Sequence, residues 1–113
     1  MRQIKHPTIE QVELTDIMYA LADPTRLEIV ARLAKAGRKM TCGEFDLNRP
    51  KSSMSHHFKI LRSAGLVETV IDGTEHMNSL RIEEIERKYP GVLQSVLKAT
   101  TAIDFDIFRQ PPR

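Results

Sequence analysis

From Asn48 to Val67 the chain reads NRPKSSMSHHFKILRSAGLV, and no other segment restricts the fold as much. A helical repeat of about 3.6 residues gathers Met54, His57, Phe58 and Leu61 on one side of a helix. Ser52, Ser55, His56, Lys59 and Ser63 gather on the other, with Arg62 at the flank and Arg49 and Lys51 at the entrance. Between residues 48 and 64 the charged side chains are Arg49, Lys51, Lys59 and Arg62, and none is acidic. The apolar stripe requires other elements to pack against it, while a free face that is cationic and hydroxylated suits an anionic partner.

The flanking segments say what those elements are. Downstream, Gly65 is placed to cap the helix, Leu66 to Ile71 is β-branched, Asp72-Gly73 is a two-residue hairpin signal, and Thr74 to Arg81 returns as a second strand. Upstream, Asp23-Pro24 offers an N-cap acceptor and a proline at the first helical position. A helix follows with Leu27, Val30, Leu33 and Ala34 inward, ending at Gly37. Arg38 to Met40 reads as a connector, Thr41 as the cap of a short helix to about Leu47, and Asn48-Arg49-Pro50 as a turn. The spacing of Ile9, Val12, Leu14, Ile17, Met18 and Leu21 predicts a first helix over Thr8 to Ala22. Ile82 to Lys88 is a short charged segment and reads as a solvated face. A last helix runs from about Pro90 to Ile103, followed by a tail in which Phe105, Ile107 and Phe108 alternate with acids and need cover.

Short helix, tight turn, longer helix, then hairpin is the order of a winged helix-turn-helix. The expectation is a mostly α fold with a small β-hairpin, a single domain over 1–113 with its core at about 8–104. At 113 residues there is room for one core. A content of 41% hydrophobic and 28% charged residues is that of a soluble protein, and no apolar run approaches the roughly 20 residues of a membrane span. The N-terminal MRQIKHPTIE has no signal core, and Cys42, the one cysteine, cannot form an internal disulfide, so a cytoplasmic setting is expected. A net charge of +2 is too small to argue for nucleic acid. The distribution carries that argument instead.

A helix of this kind fits the DNA major groove, about 12 Å wide. Serine hydroxyls and free amides at its N-terminus can hold phosphates, and longer side chains reach base edges. Arg49, Lys51, Ser52, Ser53, Ser55, His56, Lys59 and Arg62 are the DNA-contact candidates, with double-stranded DNA as the expected partner. His57, beside Phe58 on the apolar side, reads as a hydrogen-bonded core histidine. A nucleophile paired with a base, a phosphate-binding glycine loop and paired carboxylates in a recognisable context are all missing, so an enzyme is not expected.

The segments ALADPTRLEIVARL (20–33) and SSMSHHFKILRSAGLV (52–67), with the Asp72-Gly73 hairpin after them, resemble the ArsR-type bacterial transcriptional regulators. The resemblance covers roughly residues 14 to 100. It implies five or six helices with one winged hairpin and a homodimeric repressor, paired through its first and last helices, that leaves DNA when an inducer binds. Leu14, Ile17, Val92, Leu93, Val96 and Leu97 are then the dimer-interface candidates. Two features depart from the family pattern. Metal-sensing relatives carry two cysteines, one residue apart, at the start of the short helix; here those positions fall on Thr41 and Gly43 or, in a shifted register, on Gly43 and Phe45. No His or Cys follows His76, so no metal or other cofactor is expected. Relatives also place cations at the hairpin tip, whereas this tip carries Asp72 and Glu75, which leaves His76 as the wing side chain suited to a DNA contact.

Cys42 reads as a small buried hydrophobe, and a redox- or metal-responsive regulator acting through its thiol is the nearest alternative. A winged-helix protein-interaction module without DNA binding is the alternative of another class, and the acidic wing is its only support.

Overall fold

In the computed structural model, residues 3–108 are described apart from Asp46 and Asn48. Helices α1 (Leu14–Leu21) and α2 (Pro24–Ala36) meet at a sharp corner. Asp23 makes that corner, because its carboxylate accepts the Arg26 backbone N–H at 3.0 Å and Pro24 begins the next helix without a wasted donor. Gly37 ends α2 in the left-handed conformation at φ 62°. The predicted first helix is shorter than its apolar spacing suggested. Residues Ile9–Gln11 form a separate 3-10 turn, and the extended backbone of Val12 and Glu13 precedes α1. Three carbonyls in this stretch, those of Ile9, Glu10 and Val12, accept from Lys88 Nζ at 2.7–3.0 Å, which replaces the helical bonds the break removes.

The amphipathic segment forms α3 (Lys51–Ser63). Its end is a Schellman arrangement, with Gly65 N–H donating to Arg62 O and Leu66 N–H to Leu61 O, both at 3.0 Å. Strands β2 (Val67–Asp72) and β3 (Glu75–Leu80) follow as an antiparallel hairpin. Pairing continues through Asp72 and Glu75, so the two loop residues are Gly73 and Thr74, one position later than the sequence suggested. Gly73, at φ 64°, supplies the left-handed residue.

Two expectations about the segment before α3 are corrected. The supposed connector ends in a third strand, β1 (Met40–Thr41), which pairs with β3 to give the sheet order β1-β3-β2. The short helix is a single 3-10 turn, Cys42–Glu44, with the Glu44 carboxylate accepting the Thr41 N–H at 2.7 Å. Strand pairing fixes Thr41 in extended backbone, which leaves little chain in which to develop an α-helix.

The charged segment forms α4 (Ile82–Lys88), and α5 is Val92–Thr100. It is more than a solvated face. Glu86 accepts the backbone N–H groups of Gly91 and Gln94 at 2.8 and 2.9 Å and so caps α5, while Arg81 pairs with Glu84 at 3.1 Å. Helix α5 packs on α2 and α4.

The core joins these elements. Ile17 and Ala20 of α1, Ile29 and Val30 of α2, Phe58 and Leu61 of α3, Val67, Ile85 and Leu93 are essentially inaccessible. Val30 and Leu33 of α2 are buried as expected, Ile29 joins them, and Leu27 and Ala34 are half-buried. Phe45 and Phe58 meet edge to face at 5.4 Å between centroids, a geometry worth about 1 kcal/mol beyond area burial. That contact holds the turn before α3 against the helix itself.

Candidate nucleic-acid interface

One side of α3 is anchored by Phe58 and Leu61, and the other therefore projects outward along its whole length. Lys51, Ser52, Ser55, His56, Lys59 and Ser63 are exposed, as the helical spacing predicted. Ser53 is half-buried. The N-cap position is Pro50, which has no side-chain acceptor to offer the first-turn amides of α3.

The flanking arginines differ from this pattern. Arg62 is half-buried, and desolvation lowers its pKa. Arg49 is also half-buried and donates from Nη2 to the Phe108 carbonyl at 2.7 Å, joining the entrance of α3 to the 3-10 turn Phe105–Phe108. Glu44, close by in sequence, is held below the usual carboxylate range by its hydrogen bond from Arg38 and by that from the Thr41 backbone.

At the hairpin tip, Asp72, Glu75 and His76 are all exposed, so the acids face solvent beside the histidine. Cys42 is exposed rather than buried, a correction that follows from the 3-10 turn turning its side chain out of the core. Asn78 Nδ2 donates to its Sγ at 3.6 Å. Among the described residues, no three His, Cys, Asp or Glu side chains lie together as potential metal ligands.

The dimer-interface candidates divide. Ile17 and Leu93 are enclosed by their own chain at 0% exposure and cannot present a surface to a second copy. Leu14 is exposed, and Val92, Val96 and Leu97 are half-buried. Met18 and Tyr19, at 48% and 65% exposure, extend the free apolar face of α1 and were not among the candidates.

Sequence reasoning also missed a polar cluster behind α3. Arg26, 7% exposed, donates from Nε to Ala20 O at 2.7 Å and from Nη2 to Tyr19 O at 3.3 Å, closing the C-terminal end of α1. Its Nη1 lies 3.3 Å from His57 Nδ1 on α3. The expected hydrogen-bonded histidine is therefore present, with its partner on α2. Burial lowers the His57 pKa from its ordinary 6.5; Asp23 opposes the shift, and Arg26, His56 and Arg49 add to it. The signal in the sequence was the arginine two residues after Asp23-Pro24, but an arginine there is indistinguishable from a solvated one until the corner is built. Asn78 was missed for a similar reason. It is fully buried in β3, accepts from Thr69 Oγ1 at 2.7 Å and donates to Met40 O at 3.1 Å, which binds all three strands together.

A three-stranded antiparallel sheet whose hairpin directly follows an outward-facing helix defines a winged helix-turn-helix protein. A helix-turn-helix domain family matches residues 21–70. The chain is 38% identical over 82 residues to the HTH-type transcriptional regulator YceK of Bacillus subtilis strain 168, covering 71% of this chain and 82% of that protein. It is 33% identical to the HTH-type transcriptional regulator KmtR of Mycobacterium tuberculosis, covering 80% and 85%. With the arsenical resistance operon repressor of Staphylococcus xylosus it shares 36% identity over 77 residues, 66% of this chain and 71% of the relative. The crystal structure of an ArsR family transcriptional regulator superimposes with a TM-score of 0.58 at 22% identity, over 96% of this chain and 100% of that one, and shares the fold. The chain belongs to the ArsR-type helix-turn-helix transcriptional regulators, a family of regulators rather than enzymes.

Proposed function

We propose that this protein is a homodimeric, sequence-specific DNA-binding repressor that is released from its operator by a signal. The carrying observation is the acid-free outer face of α3, whose exposed Lys51, Ser52, Ser55, His56 and Lys59 are backed by a helix face fixed in the core. In this reading Ser52, Ser53, Ser55, His56 and Lys59 read bases, and Arg49, Lys51, Lys59 and Arg62 anchor phosphates. His76 is the wing contact, because Asp72 and Glu75 at the same tip repel phosphate. Two copies would place their α3 helices in successive major grooves, about 34 Å apart, on a pseudo-palindromic site. The arsenical resistance operon repressors among its relatives support the sign of regulation.

The test is a titration against DNA from the protein's own upstream region at several salt concentrations. Lys59→Ala should reduce the slope of log K against log salt by about 1 for each phosphate that Lys59 neutralises. An unchanged slope and affinity would remove Lys59 from the interface.

The exposure of Cys42 favours a second reading, in which the thiol receives the signal. Oxidant or a thiophilic metal should then weaken operator binding by the wild type and leave Cys42→Ser unaffected. Equal responses from the two proteins would dismiss it.

A further inference from the structure

His57 Nδ1 has two neighbours: Arg26 Nη1 at 3.3 Å and Asp23 Oδ2 at 3.8 Å. An arginine can only donate, so the contact with Arg26 is a hydrogen bond only when Nδ1 carries a lone pair, with the imidazole neutral and its proton on Nε2. A protonated ring would instead set an N–H and a positive charge against the guanidinium. Among the described residues, the carboxylate that faces that nitrogen is Asp23, whose Oδ2 at 3.8 Å is the oxygen that caps α2 by accepting the Arg26 N–H at 3.0 Å. Nδ1 cannot offer a lone pair to Arg26 and carry a proton toward Asp23 at once, so the two arrangements exclude each other.

The consequences reach beyond one side chain. Arg26 also closes the end of α1 through the Ala20 and Tyr19 carbonyls and stacks 5.5 Å from the Tyr19 ring centroid. One guanidinium thus joins α1, α2 and α3, and His57 is where it holds the helix that faces DNA. The charged and titratable groups around the imidazole are Asp23 and Arg26 from α2, His56 from α3 and Arg49 from the entrance to α3, while α1 brings only carbonyls and the Tyr19 ring to the guanidinium. Among the described residues, Arg26 and Arg49 outnumber the single carboxylate, and the ring side chain is 14% exposed. The surroundings therefore favour the neutral, latched form.

We propose that Arg26 and His57 are positioning residues that form a proton-sensitive latch, fixing α3 against the α1–α2 corner so that operator binding requires a neutral His57. This rests on the DNA-binding reading above. Neither residue touches DNA in it. Proton uptake at Nδ1 breaks the Arg26–His57 bond, turns the new Nδ1–H toward the Asp23 carboxylate and loosens the seating of α3.

His57→Asn separates the latch from mere packing, because Asn Oδ1 can accept from Arg26 near the place of Nδ1 and cannot be protonated. Operator affinity would be measured for wild type and His57→Asn at fixed salt from pH 7.5 to 5.5. The two should bind within about threefold at pH 7.5, and the wild type should lose affinity relative to the variant as the pH falls to 5.5, by less than the roughly tenfold that a one-proton linkage at the ordinary imidazole pKa would give. His6, His56 and His76 are common to both proteins, so the ratio isolates position 57. Parallel profiles from two tight binders would overturn the latch and leave the DNA-binding reading intact. Absence of binding by both folded proteins at pH 7.5 would overturn that reading and the latch with it. Should His57→Asn fail to fold, the imidazole nitrogen NMR signals of the wild type decide. An unprotonated Nδ1 at pH 7.5, whose titration shifts the amides of residues 23–26 and of α3, supports the latch; an Nδ1–H tautomer at pH 7.5 overturns it.

Discussion

His6 shows how a single side chain far from α3 contributes to the fold. Its Nε2 accepts the Thr69 N–H at 2.9 Å, which satisfies a donor on the outer edge of β2. Burial lowers its pKa from 6.5; Glu68 opposes this and Arg81 and Arg62 reinforce it. His57 is lowered as well, again chiefly by burial. In both cases the unfolded chain binds protons at a pH where the folded chain does not. Stability therefore rises with pH through the window below 6.5 and falls as the pH drops from 6.5 toward the lowered folded values. The midpoint of urea unfolding should be lower at pH 5.5 than at pH 7.5. His6→Gln, which keeps an acceptor near Nε2 but takes no proton, should shrink that difference, and an identical difference in the variant would exclude His6 as a source. At this scale the sequence showed residue types but not environments. His57 was legible because it lies one step from Phe58 on a helical stripe, whereas His6 depends on a strand 63 residues away.

Elements were most legible where a local device ends them. Asp23-Pro24 and Gly37 bound α2 as expected, and Gly65 closes α3. Gly65 has a further role that its sequence position conceals. At φ 86° it sits where a Cβ would collide with the Val12 side chain, itself buried at the end of the N-terminal turn. Gly65→Ala combines left-handed strain with that clash and should destabilise the protein by about 3 kcal/mol, read from chemical denaturation. A change below about 1 kcal/mol would mean that Val12 moves aside at little cost. Elements that depend on distant partners were less legible. Met40–Thr41 has no strand signal of its own and becomes β1 because β3 offers an unpaired edge, with Asn78 holding the Met40 carbonyl. The same pairing reduces the expected short helix to Cys42–Glu44. The break between the first turn and α1 was hidden because Ile9 and Val12 keep nearly helical spacing with Leu14 and Ile17, while the bonds that tolerate the break come from Lys88.

At the scale of the whole molecule, several large apolar side chains face outward. Leu14, Met18 and Tyr19 lie exposed on α1, and Ile107 and Phe108 near the other end of the chain are exposed at 72% and 43%. A second copy covering the α1 face is the arrangement that the proposed paired reading of DNA requires. Leu14→Glu with Met18→Glu should convert a dimer to a folded monomer in sedimentation velocity and weaken operator binding at least tenfold, since a lone α3 forfeits the second half-site. Retention of the dimer by the double variant would place the interface elsewhere. Ile17→Glu would not test this, because its side chain lies inside the protomer.

By itself the sequence determined the order of elements, the caps of α2 and α3, the hairpin and the acid-free face of α3. Each is encoded within a few residues, through helical period, proline and glycine backbone preferences, or charge. Tertiary structure decided which side chains are enclosed, that Cys42 faces outward, that β1 completes the sheet, and that Arg26 reaches across three helices to His57. Those outcomes depend on contacts between distant segments, where burial and the direction of a hydrogen bond are properties of the packed chain and of no local stretch of it.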